Sequence, residues 1–163
     1  MTNPAYNSND ANDGIDGAKF GAACGRLVAD GHVLPLRVYY EDTDVSGFVY
    51  YANYLKFIER GRTDFLRLAG VDHSTLWRDH ELALTVRRCE IEYFSPARLD
   101  DEIQIYTQLT DLRGASLIAE QFVRRDETEL ARCRVRIACI DRTSRAARLP
   151  PPVRDQLRRF IAT

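Results

Sequence analysis

The chain has 163 residues, 45% of them apolar and 29% charged, with 23 basic side chains against 24 acidic ones. A chain of this length buries roughly 70% of the surface it would expose unfolded, so one core suffices, and the ordinary composition excludes a disordered, collagenous or membrane-bundle protein. Balanced charge offers no whole-molecule field to nucleic acid or an anionic bilayer, and lysine occurs only at Lys19 and Lys56, every other cation being arginine.

Residues 1–32 are rich in Asn, Asp, Gly and Ala and are expected to form a flexible N-terminal extension, with the folded domain spanning 33–163. The chain shows neither a basic segment followed by an apolar one at its start nor an apolar run of the ~20 residues that cross a bilayer, so a cytoplasmic location and no transmembrane segment are expected. Cys24, Cys89, Cys133 and Cys139 form no CxxC pair and have no histidines at zinc-ligand spacing. Cys133 and Cys139 share one face of a strand but lie too far along it to bridge, so buried free thiols in a reducing compartment are expected.

The first strand is read from LPLRVYY (34–40), with Pro35 near its exposed start. The polar segment EDTDVSG follows. Then Tyr51, Tyr54, Leu55, Ile58, Phe65, Leu66 and Ala69 recur at helical spacing, with Gly61 on the same stripe and Gly70 as a stop. Gly61 costs about 1 kcal/mol relative to Ala in a helix, which is tolerable where something packs closely against the backbone. Four further strands are read over 82–94, 101–112, 115–125 and 129–141, and their short connections suggest an antiparallel meander. Pro150-Pro151-Pro152 closes the sheet region, and VRDQLRRFI suggests a terminal helix. The pattern is α+β: a curved five-stranded antiparallel sheet wrapped around one long central helix.

Glu41, Asp42 and Asp44 put three carboxylates at a strand end just before that helix. Helix capping is one explanation. An EF-hand is a second, but its twelfth position is Asn53 instead of the bidentate Glu, and a strand precedes the loop. A phosphatase-type DxDx[TV] nucleophile is a third; it demands a parallel α/β sheet that this pattern of elements does not provide. Acyl transfer is the fourth: one carboxylate acts as nucleophile or base, and backbone N–H groups between Gly47 and Tyr51 receive the developing oxyanion. Such a site needs no metal, cofactor or serine triad.

The run YYEDTDVSGFVYYANYLKFIERGRTDFL, then EYFSPARLDDEI and a last strand ending ACID with RLP after it, resembles the hotdog-fold acyl-CoA thioesterases. It is similar in particular to the YbgC type, associated with the Tol-Pal envelope system, within the 4-hydroxybenzoyl-CoA thioesterase family. The resemblance spans roughly Leu34 to Pro150. It implies hydrolysis of acyl-CoA to free acid and coenzyme A, with Asp44 as the catalytic carboxylate and the backbone N–H of Tyr51 as oxyanion donor. YbgC-type chains usually carry histidine where this one has Tyr51; tyrosine titrates near 10, so a side-chain acid or base is lost there while a backbone donor survives. Gly47, Val49, Tyr50, Asn53 and Glu59 are the substrate contacts expected around this pair, Glu59 alternatively pairing with Arg62 or Arg60. Asp42 is expected to hold structure by hydrogen bonding. His32, His73 and His80 are expected at the surface or at caps. Arg132, Arg134 and Arg136 share one face of the last strand, expected to be solvated, with coenzyme A phosphates as the sharper alternative. The resemblance also implies a homo-oligomer, dimer or tetramer, with sites between subunits, and an unpaired strand edge argues the same way. The rivals are a hotdog hydratase or dehydratase, and a non-catalytic acyl-CoA-binding or envelope-associated scaffold.

Overall fold

The computed structural model describes residues 25–161. Six strands, β1 (Arg26–Val28), β2 (Gly31–Arg37), β3 (Leu82–Tyr93), β4 (Glu102–Leu112), β5 (Ser116–Arg125) and β6 (Thr128–Asp141), form one antiparallel sheet in the order β1-β2-β4-β5-β6-β3. Three helices complete the chain: α1 (Asn53–Leu68), α2 (His73–His80) and α3 (Pro151–Arg158). The architecture is α+β, as expected, with six strands instead of five.

The additional strand is β1, which pairs Arg26 with Val33 and Val28 with Gly31. Its three residues lie inside the expected N-terminal extension, so the sheet begins at Arg26 and not after residue 32; residues 1–24 of that extension fall outside the described residues. Close packing fixes this boundary. A Cβ on Gly31 would sit 2.3 Å from the carbonyl oxygen of Thr107, and one on Gly25 would sit 2.1 Å from the His32 ring. His32 corrects the expectation of a surface histidine, since its side chain is fully buried. Its Nε2 lies 2.9 Å from Asp64 Oδ2, which also accepts the Gly25 N–H at 2.7 Å. Burial pushes the His32 pKa below its ordinary value, against the opposing pull of Asp64. The neutral ring then donates from Nε2 and leaves Nδ1, which has no partner, as a bare acceptor. His73 and His80 are exposed, at the two ends of α2.

The expected meander holds for β4, β5 and β6 but not for β3, which pairs with β6 at the far side of the sheet, Leu82 opposite Asp141 and Tyr93 opposite Ala131. The segment 94–101 is long enough to cross the sheet end, so β2 takes the place beside β4 instead. Helix α1 buries Tyr54, Phe57, Ile58, Phe65 and Leu66 against this sheet. Each such side chain contributes about 1.5–3 kcal/mol when removed from water. Gly61 does what its place on the stripe suggested: a Cβ there would lie 2.5 Å from Ile105 Cγ2 of β4, so only glycine allows the helix this approach.

A polar cluster crosses the same interface. Gln121 of β5 donates to the Ile58 carbonyl at 2.8 Å and to Thr107 Oγ1 at 2.9 Å, and accepts from Arg62 Nη1 at 3.0 Å. Arg62 also pairs with Glu59 one turn back. Cys133 and Cys139 are buried free thiols, whereas Cys89, on the edge strand β3, is exposed despite the expectation; its Sγ lies 3.3 Å from that of Cys133. Cys24 falls outside the described residues. The Arg132, Arg134 and Arg136 side is exposed, and Arg132 and Arg134 pair with Glu129 and Glu120. Among the described residues, no helix is long and apolar enough to cross a membrane.

Candidate active site

The acidic loop folds back on itself between β2 and α1. Tyr40–Asp42 form one 3-10 turn, after which Thr43 and Val49 bridge as in a tiny antiparallel hairpin. Its tip is a tight turn in which the Gly47 N–H donates to the Asp44 carbonyl at 3.0 Å and the Asp44 N–H to the Phe48 carbonyl at 2.9 Å. Gly47 adopts φ +75°, a conformation that side chains other than glycine resist, which gives the expected Gly47 a structural reason.

At this tip the Asp44 carboxylate is open to solvent and accepts both the backbone N–H of Ser46, at 2.8 Å, and the Ser46 hydroxyl. These two donors hold its pKa below the ordinary carboxylate value, so the group is fully ionised at neutral pH. An anion with a free lone pair facing water can serve as a nucleophile or accept a proton. Asp42 is its opposite. It is buried, its carboxylate accepts the Tyr39 N–H at 2.9 Å, and its carbonyl accepts both the Tyr50 N–H and Asn53 Nδ2 at 2.9 Å. Asp42 is thus the hydrogen-bonding brace of the loop, as expected, and Asn53 is engaged with it.

The chain then enters α1. The Asn53 N–H donates to the Tyr50 carbonyl at 2.8 Å and the Leu55 N–H to the Ala52 carbonyl at 3.2 Å. Among the described residues the Tyr51 N–H has no acceptor, as suits the orphan donors of a helix start. Beside it lies a groove of about 260 Å³ lined by Val49, Tyr51, Tyr54, Tyr93, Phe94, Ser95 and Pro96. Aromatic rings build most of its wall. Tyr93 meets Tyr54 edge-on with ring centres 5.5 Å apart and Tyr51 at 6.3 Å, and Tyr50 packs on Tyr51 at 4.7 Å. The buried Tyr54 accepts the Ala97 N–H on its hydroxyl at 2.8 Å, tying the helix to the segment after β3.

The structure therefore brings Val49 and Tyr51 to one groove, with Tyr50 stacked at its margin and Asp44 and Gly47 on the adjoining hairpin. It does not bring Glu59 there: that carboxylate is paired with Arg62 and accepts the Thr63 hydroxyl at 2.8 Å, outside the groove lining. The opposite wall, Tyr93 to Pro96, was missed as a site although EYFSPAR lay within the segment that carried the resemblance. The available signal was an aromatic pair followed by Ser-Pro at a strand end, which reads from sequence as a strand stop. Among the described residues, no cluster of three or more His, Cys, Asp or Glu side chains is arranged to hold a metal ion.

Comparison with known proteins points one way. Residues 38–157 match the thioesterase-like superfamily. The chain is 39% identical over 115 residues to a Haemophilus influenzae protein named acyl-CoA thioesterase YbgC, covering 71% of this chain and 85% of that one. It is 43% identical over 108 residues to an Escherichia coli protein named acyl-CoA thioester hydrolase YbgC, covering 66% and 80%. Among solved structures, a probable thioesterase from Bartonella henselae superposes with a TM-score of 0.71 at 40% identity, covering 74% of this chain and 99% of that one.

Proposed function

Since the chain belongs to the thioesterase-like superfamily, we propose that it hydrolyses acyl-CoA thioesters to the free acid and coenzyme A, with Asp44 as the reacting carboxylate and the Tyr51 N–H as oxyanion donor. The observation that carries the reading is one braced loop holding two complementary parts: an ionised, open carboxylate on its tip and an unengaged N–H at its junction with α1, beside an aromatic groove. As the thioester carbonyl is attacked, charge moves onto its oxygen, and a fixed N–H at a helix start meets that charge without reorganisation. Asp44 either attacks the carbonyl carbon, expelling the coenzyme A thiolate and leaving a mixed anhydride for water to cleave, or takes the proton of an attacking water. Both routes need the anion and neither needs a metal or a cofactor.

Thiol release from acyl-CoAs of short, long and aromatic acyl groups tests this. Wild-type protein turns over, and Asp44→Asn lowers kcat by about 100-fold or more with folding intact. Full turnover by that variant removes Asp44 from the mechanism; binding without turnover in the wild type favours a scaffold.

A second copy of the chain completes the reading. Strand β3 runs 12 residues along a sheet edge and leaves Val86 and Tyr93 about half exposed, which supports a homodimer formed on that edge beside the groove, and a tetramer of such dimers by resemblance. By the same resemblance the protein works in the cytoplasm next to the Tol-Pal envelope machinery; loss of co-purification with those components when the chain is tagged in its host refutes that placement.

A further inference from the structure

We infer that Tyr93 is a positioning residue, whose hydroxyl holds the first peptide units of α1 in the orientation that aims the Tyr51 N–H at the substrate oxygen. The inference rests on the thioesterase reading above. Three peptide units lead into the helix. The first, between Val49 and Tyr50, is held by its N–H on the Asp42 carbonyl at 2.9 Å. The second, between Tyr50 and Tyr51, carries the catalytically assigned N–H and is held at its other end, where the Tyr50 carbonyl accepts the Asn53 N–H at 2.8 Å. The third, between Tyr51 and Ala52, has no backbone donor among the described residues, because the Leu55 N–H turns to the Ala52 carbonyl instead. Tyr93 supplies what is missing: its hydroxyl donates to the Tyr51 carbonyl at 3.0 Å.

The side chain that does this is itself held from three sides. Tyr93 ends β3, opposite Ala131, and its ring lies edge-on to both Tyr51 and Tyr54. Partial burial and the neighbouring thiols and tyrosines raise its pKa, so it keeps the proton it donates. Without that hydroxyl the third peptide is free to rotate about the bonds flanking Tyr51, and the oxyanion donor turns with it. An error of about 1 Å in such a group costs up to about 100-fold in rate while hardly touching ground-state binding.

Tyr93→Phe keeps the ring and removes only the hydroxyl. The expected result is a fall in kcat of about 10-fold with KM within about twofold of wild type and an unchanged Tm. Replacing Tyr93 by 4-aminophenylalanine, which returns a donor to the same ring position, restores kcat to within about threefold. A wild-type kcat in Tyr93→Phe overturns the inference, as does a loss shared among kcat, KM and Tm, which marks a packing role. Asp44→Asn assayed in parallel separates the two levels: if it is inactive while Tyr93→Phe is normal, only the positioning role fails, and if it is active, the thioesterase mechanism fails first.

Discussion

The two edges of the sheet are built to opposite ends. At one, β1 offers three residues, the Asp64 carboxylate gathers the Gly25 N–H and the His32 ring, and two glycines allow backbone to pack on backbone. At the other, β3 offers 12 residues, a register shift between Val86 and Arg88, and apolar side chains left in water. Very short edge strands are a standard protection against unwanted pairing, and a long one with exposed apolar groups invites a partner. The groove and its Tyr93 wall lie at the inviting edge. The contrast teaches that the protein closes its fold at β1 and leaves β3, which carries one wall of the groove, open along its edge.

The strongest way to break that contrast is to place a charge on the open edge. On the proposed pairing of two copies along β3, Val86→Asp is expected to convert the dimer to a monomer in sedimentation, because a charge then stands on the paired edge, and to lower kcat/KM by about 100-fold or more while the monomer stays folded. An unchanged sedimentation coefficient with full activity overturns the assignment of β3 as the interface. The closed edge answers differently. Asp64→Ala removes the acceptor of both Gly25 and His32 and is expected to cost about 2–3 kcal/mol in urea unfolding, with kcat at 25 °C retained. A variant as stable as wild type shows that the edge is held by packing alone.

A smaller effect should appear with pH. The folded-state pKa of His32 lies below its unfolded value of about 6.5, so the unfolded chain binds more protons as the pH drops. The stability gained from burying the neutral ring is complete above that pH and is lost as the pH falls toward the folded value. Tm should therefore decline below about pH 6.5, and the slope should flatten in His32→Gln; an identical slope in that variant assigns the decline to other groups. The smallest effect sharpens the comparison by its absence. Leu27→Lys, on the partly exposed β1, should change stability by less than about 0.5 kcal/mol and leave the proposed dimer intact. Dissociation by this substitution places the interface at the wrong edge.

Much of this was legible in the sequence where local chemistry and tertiary packing agree. The stripe from Tyr54 to Leu66 with Gly61 inside it and the alternation of β4 to β6 each name their own structure. What could not be read depends on distant partners. β1 lies in a stretch rich in Gly and Asp with nothing to distinguish three strand residues from a tail; what ties it down is its pairing with β2 and, just before it, the Gly25 N–H on Asp64 of α1. Helix α2 buries only Leu76, so it has no apolar period; its signal was Asp72, whose carboxylate caps Thr75 N–H at 2.9 Å. Asp44 and Asp42 were separated by the resemblance alone, since residues two apart share a face of an extended chain, and only the loop's folding shows why one is a brace and the other an open anion. Tyr93 was hidden because its role is defined by a carbonyl 42 positions away.

The crossing of the sheet by segment 94–101 also sets an order of events in time. Tyr93 has its β-partner at Ala131 and Leu82 has its partner at Asp141, so β3 has nothing to pair with until β6 exists. A chain emerging from the ribosome has its acidic loop, α1 and the groove's aromatic wall long before the strand that fixes that wall in place. Pairings this far apart in sequence are slow to close. The groove is therefore among the last parts to form, and a nascent chain cut short before β6 carries every proposed site residue without the strand that holds the groove's wall.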